Sequence, residues 1–112
     1  MCYHISLAAG AEELARRFGR KTDLVRKFRP AYHVCAFSHP YPVVTRDEQI
    51  QYFRWGLIPY WIGKAAQTVT IRNQTVVACA ETIFENASFR VPIRRRRCLI
   101  PVSGFFGWHH GQ

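Results

Sequence analysis

Pro30 divides the chain into two stretches whose apolar residues repeat with different periods, and that change constrains the fold more than any single motif. Before it, residues 11–18, "AEELARRF", read as a short helix. Leu14 and Phe18 lie four apart on one face, acids come first, bases come last, and Gly19 follows as a cap. A second short helix is expected over "DLVRKF", with Asp23 as its N-cap and Pro30 as its limit. From Ala31 onward the texture is that of strands. "YPVVT" has β-branched residues behind a proline. In "QIQYFRWGLIP" Ile50, Tyr52 and Arg54 are expected on one face, Gln51, Phe53 and Trp55 on the other, until Gly56 and Pro59 break the run. "QTVVACAET" and "CLIPVSGFF" read as two more strands. Helices first and strands after, with no internal repeat, low-complexity tract or linker, give an α+β expectation.

The size and charge limit what such a domain can do. With 112 residues the chain suits one small domain or part of a larger one. Hydrophobic residues make up 48%, enough for a packed core. No apolar run is long enough for a membrane-spanning helix, and "MCYHISLAAGAEELARR" lacks the basic region that opens a signal peptide. A cytoplasmic protein without a membrane partner is expected. Sixteen Lys and Arg against seven Asp and Glu give +9, which favours a polyanionic partner, nucleic acid before an anionic membrane. The last strand carries Phe105, Phe106 and Trp108 with nothing after it to cover them, so the chain end reads as a truncation, or as an edge that self-associates or takes a partner chain.

Three stretches carry chemistry. Arg94, Arg95, Arg96 and Arg97 form a block behind Arg90. Such a run cannot be buried unpaired; it is either a solvated turn or a grip on several phosphates. "RWGLIPYWIGK" sets Trp55 and Trp61 around a Gly–Pro turn beside Arg54 and Lys64. Aromatics interleaved with bases suit single-stranded nucleic acid, because any base stacks on a ring. Trp55, inside the alternating strand, is expected in the core and Trp61, past the turn, at the surface. The third stretch is the start, "MCYH". Of the cysteines at 2, 35, 79 and 98, none forms a C-x-x-C pair, and none sits at zinc spacing to a histidine. Neither a metal nor a cofactor is expected. Cys35, Cys79 and Cys98 are expected to be buried thiols. Cys2 differs: once Met1 is removed, it carries a free amine and a free thiol on adjacent carbons. In model compounds these groups titrate at about 7.7–8.0 and 8.5. An aldehyde meeting them forms an imine that the thiol closes to a thiazolidine, helped by proximity. The ring-opened sugar of an abasic site is such an aldehyde.

In order along the chain, "MC", "WGLIPYW" at 55–61, "ACAET" at 78–82, "SFR" at 88–90 and "RRCLIPVSGFFGW" at 96–108 resemble the SOS response-associated peptidase (SRAP) family. The resemblance spans residues 1–112, about the first half of a usual family domain. It implies an α+β domain with strongly curved, partly barrel-like β-sheets behind short N-terminal helices. It implies single-stranded DNA with abasic sites as partner, covalent cross-linking through Cys2 as the catalytic residue, and a role in the DNA-damage (SOS) response. DNA contact would fall on His4, which stands where many members carry an arginine, on Trp61 and on the arginine block. Taken literally, the family name also implies an autoprocessing cysteine peptidase or lyase. The departures are specific. Val77 and Cys79 stand in for the asparagine and arginine of N-A-R-x-E-T, and Gly107 for the glutamate of G-F-Y-E-W. Glycine cannot shuttle a proton and valine cannot hydrogen-bond an oxyanion. An alternative is therefore a catalytically impaired single-stranded nucleic-acid-binding module. Glu81 is assigned a structural role beside the arginines.

Overall fold

The first helix, α1, forms over Ala11–Phe18 in the computed structural model, which describes residues 4–35, 40–63 and 65–107. Leu14 is 2% exposed, and burying one leucine is worth about 1.5–3 kcal/mol. Glu12 and Glu13 lie in the first turn and Arg16 and Arg17 in the last, each matched to the helix dipole. Gly19 ends the helix at φ 60, its N–H returning to the Ala15 carbonyl.

Residues up to Arg54 and from Cys98 onward form one unit, and Trp55–Arg97 a second. In the first unit β1 (His4–Leu7) is the middle strand of an antiparallel sheet, flanked by β2 (Ala31–Cys35) and by the chain's last strand. Ile5 lies opposite Val34 on one side and opposite Phe105 on the other. The alternation in β1 is clean: Ile5 and Leu7 are buried while His4 and Ser6 are half-buried. A separate hairpin pairs β3 (Tyr41–Val43) with β4 (Gln51–Phe53). Two single bridges, Lys21 to Gln49 and Val44 to Leu99, tie these pieces together. The core of this unit is Ile5, Leu7, Leu14, Val25, Val34, Tyr41, Val43, Val44 and Ile50. Tyr41 keeps its hydroxyl satisfied there by donating to the Pro101 carbonyl at 2.6 Å, and burial pushes its pKa up to about 12.

The second unit holds α2 (Ala65–Gln74), a run of turns, and the short α3 (Pro92–Arg95). Every fully buried hydrophobic side chain named above lies in the first unit. The second unit depends instead on directed bonds. Trp55 donates its indole N–H to the Val76 carbonyl at 2.9 Å. The Thr75 hydroxyl accepts from the Leu57 amide at 2.9 Å and donates to the Leu57 carbonyl at 2.5 Å. Gly56, at φ 103, lies so close to α2 that an added Cβ would collide with the Arg72 side chain and sit 2.6 Å from the Arg72 carbonyl oxygen.

Several expectations change. The second helix is a single 3₁₀ turn, Asp23–Val25, with Thr22 and not Asp23 at the cap position. Asp23 instead holds Arg26 at 2.5 Å and Gln49 at 3.0 Å. Leu24 is 60% exposed, so no apolar face exists to extend the turn. Of the alternating run 50–55, only Gln51–Phe53 is strand; Ile50 is buried while Tyr52 and Phe53, on opposite faces, are both exposed. The stretch 74–82 is not a strand but the end of α2 followed by loop and turns. Among the described residues it has no partner strand in its unit, and Thr75 and Val76 serve the anchor just described. From "CLIPVSGFF" only Gly104–Phe105 is strand, β5, with Leu99 in a bridge; Pro101 cannot donate to a ladder. This strand does have a partner, β1, which corrects the reading of an unpaired end. Among the described residues the sheets have three and two strands, and neither closes, so the barrel-like expectation is not met. Cys79 and Cys98 are exposed and Cys35 is half-buried, where buried thiols were expected.

Candidate functional site

The register of β1 and β2 creates the first cluster. His4 lies opposite Cys35, which sets His33 diagonally beside it. His4 Nδ1 and His33 Nε2 are 2.8 Å apart, and the rings meet edge to edge, 26° from coplanar, with centroids 4.9 Å apart. Phe106 meets His33 edge-on at 5.4 Å, and its amide donates to the His4 carbonyl at 3.0 Å. His4, Tyr32, His33, Phe106 and Gly107 line an open hollow of about 560 Å³. Gly107 leaves its part of the hollow vacant, since a Cβ there would meet nothing within 4 Å. Tyr32 is 85% exposed at the rim. Cys2 lies outside the described residues, as do His39, Lys64, Trp108, His109 and His110.

The second cluster belongs to the unit Trp55–Arg97. Trp61 is 50% exposed and Tyr60 stands edge-on to it at 5.3 Å. Both line a small hollow of about 70 Å³ together with Arg90 and Arg96. The four arginines do not act as one block. Arg94 lies 5.5 Å over the Phe84 ring and donates to the Arg90 carbonyl at 3.3 Å. Arg97 donates to the Ile93 carbonyl at 2.6 Å, closing the end of α3. Arg95 is exposed on α3. Of the block, Arg96 is the one set against Trp61. Among the described residues the ion pairs are Lys21–Glu48 and Asp23–Arg26, so no carboxylate neutralises Arg94 to Arg97. Glu81, placed beside the arginines by the sequence reading, forms no ion pair with them.

Sequence reasoning named His4, Trp61 and the arginines but missed His33, Tyr32 and Tyr60. His33 is 29 residues from His4, and only strand register joins them. The signal available was its place in "AYHVC", a run of strand formers. Val77 is half-buried and Cys79 exposed, in the loop after α2. Among the described residues no group of three or more His, Cys, Asp or Glu could hold a metal ion, and no helix is long and apolar enough to cross a membrane.

The chain is similar over nearly all its length to a crystal structure of a protein from Bacteroides thetaiotaomicron: the TM-score is 0.90 at 42% identity, covering 98% of this chain and 50% of that one. It is 29% identical over 111 residues to the abasic site processing protein YoqW of Bacillus subtilis (strain 168), covering 96% of this chain and 48% of that protein. It is 36% identical over 69 residues to the mouse abasic site processing protein HMCES, covering 61% of this chain and 19% of that protein. The chain thus spans about half the length of the bacterial relatives. The family model described as SOS response associated peptidase (SRAP) matches residues 1–112. With that match running the full length, and the motifs from "MC" to "GFFGW" in family order, this chain belongs to the SRAP family.

Proposed function

We propose that this protein captures abasic sites in single-stranded DNA by cross-linking through Cys2 after Met1 is removed. The observation that carries the reading is a cysteine at position 2 in a chain matched from end to end by the family. The relatives' names support the substrate, and the charge of +9 supports a polyanionic partner. In the reaction the Cys2 amine attacks the aldehyde carbon of the ring-opened sugar and gives a carbinolamine. Its hydroxyl leaves as water and an iminium remains. The thiol loses its proton, its sulfur bonds to the same carbon, and the nitrogen becomes the neutral ring amine. Aldehyde and aminothiol become thiazolidine and water, with no redox change. Trp61 stacks an unpaired base, and Arg90 and Arg96 take the adjacent phosphates. The role is in the DNA-damage (SOS) response, and the exposed rings of Phe105 on edge strand β5 and of Phe106 just after it favour self-association.

The test mixes Met1-processed protein with abasic single-stranded DNA. A denaturation-resistant adduct is expected, and Cys2→Ala abolishes it. Absence of any adduct, with the N-terminus verified by mass spectrometry, rejects the reading. A second reading is favoured by Val77, Cys79 and Gly107: binding without covalent chemistry. It requires salt-sensitive binding that Cys2→Ala leaves unchanged, in the absence of an adduct.

A further inference from the structure

The hydrogen bond between His4 and His33 restricts where their protons can be. With Nδ1 and Nε2 at 2.8 Å, one nitrogen donates and the other accepts, so a single proton occupies that contact. The outer nitrogens, His4 Nε2 and His33 Nδ1, bond to no other described residue. A proton arriving at one outer nitrogen lets one leave from the other. Among the described residues the surrounding groups are Tyr32 and Cys35 on β2, Ser6 on β1, and Phe106 and Gly107 after β5, none of them a carboxylate or fixed cation. Cys2 precedes His4 by two residues, so covalent geometry holds their Cα atoms within about 7 Å.

We propose that His4 and His33 form the proton relay of the cross-linking reaction, a role that rests on the Cys2 reading above. The pair, entering with one ring as imidazolium, gives a proton to the carbinolamine hydroxyl, which leaves as water, and both rings are then neutral. It takes a proton back from the Cys2 thiol as sulfur closes the ring. The pair ends in its starting state, so the balance needs no further reactant. The hydrogen-bonded rings supply this in a hollow whose described lining holds no carboxylate, and the empty space at Gly107 leaves room for the sugar.

Single-turnover cross-linking of the whole Met1-processed chain to abasic single-stranded DNA tests the relay. His33→Ala is expected to slow adduct formation by about 100-fold, a usual contribution of a positioned acid–base group. Free imidazole in the buffer should restore much of that rate, which a purely structural loss would not allow. His33→Phe keeps a ring packed between His4 and Phe106 and lacks the nitrogens; it should be as slow and should not respond to imidazole. Native rates in His33→Phe overturn the relay while leaving Cys2 chemistry intact. So does a slow His33→Ala that imidazole fails to restore. A native protein that forms no Cys2-dependent adduct overturns both the relay and the reading beneath it.

Discussion

Alanine at Gly56 should damage the second unit far more than alanine at Gly19 damages the first. Both glycines have positive φ, 103 and 60, so both substitutions carry the cost of an L-residue in a region it avoids, about 1–2 kcal/mol. Their surroundings differ. A Cβ at Gly19 meets nothing within 4 Å, whereas one at Gly56 collides with the Arg72 side chain and lies 2.6 Å from the Arg72 carbonyl oxygen. The side chain can swing away; the carbonyl belongs to α2 and cannot. Forcing the backbones apart adds about 1–3 kcal/mol and stretches the Thr75–Leu57 bonds with them. The excess of Gly56→Ala over Gly19→Ala is therefore about 2 kcal/mol, close to 30-fold in an opening equilibrium. Hydrogen exchange read by mass spectrometry resolves the two sites, with peptides across 55–76 reporting one and peptides across 11–20 the other. Equal loss of protection in the two variants would refute the claim that the motif backbone is seated against α2.

Two further outcomes follow from the same geometry. Tyr41→Phe should cost about 1–2 kcal/mol in denaturant midpoints, because the Pro101 carbonyl loses its donor; since the folded pKa is raised to about 12, the contribution of Tyr41 to stability is full below about pH 10 and is lost as pH rises through about 12, and identical profiles for the native protein and Tyr41→Phe over that range would contradict it. Arg96→Ala should weaken single-stranded DNA binding and lower the salt slope by about 0.7 per lost phosphate contact, while Arg94→Ala, already engaged by Phe84 and the Arg90 carbonyl, should change it less; anisotropy titrations at several salt concentrations separate the two.

What the sequence made legible was whatever local rules decide. α1 followed from its Leu14–Phe18 spacing, its charge order and Gly19, all within nine residues. The helix α2 escaped because "AAQTVTIRNQ" has no apolar stripe and several β-branched residues; it is held by Thr75 and Trp55, contacts that cross 18 and 21 residues. The same Val76–Val77 pair that suggested a strand has no neighbouring strand to join. At the site, the residue types were visible and their grouping was not. Arg94 to Arg97 look equivalent in sequence, yet their positions at the end of one short helix give Arg94, Arg96 and Arg97 different surroundings and leave Arg95 exposed. His33 joins His4 only through sheet register, which local patterning does not encode.

The pairing of β1 with β5 has a consequence in time. The Ser6 carbonyl cannot accept from the Ser103 amide, nor the Ala8 amide donate to the Ser103 hydroxyl, until synthesis has reached the far end of the sheet. At about 5–20 residues per second, roughly 5–20 seconds of elongation separate the two strands. Throughout that interval β1 lacks one of its two neighbours. If Cys2 acts as proposed, removal of Met1 in that interval would put maturation of the amino end ahead of closure of the sheet.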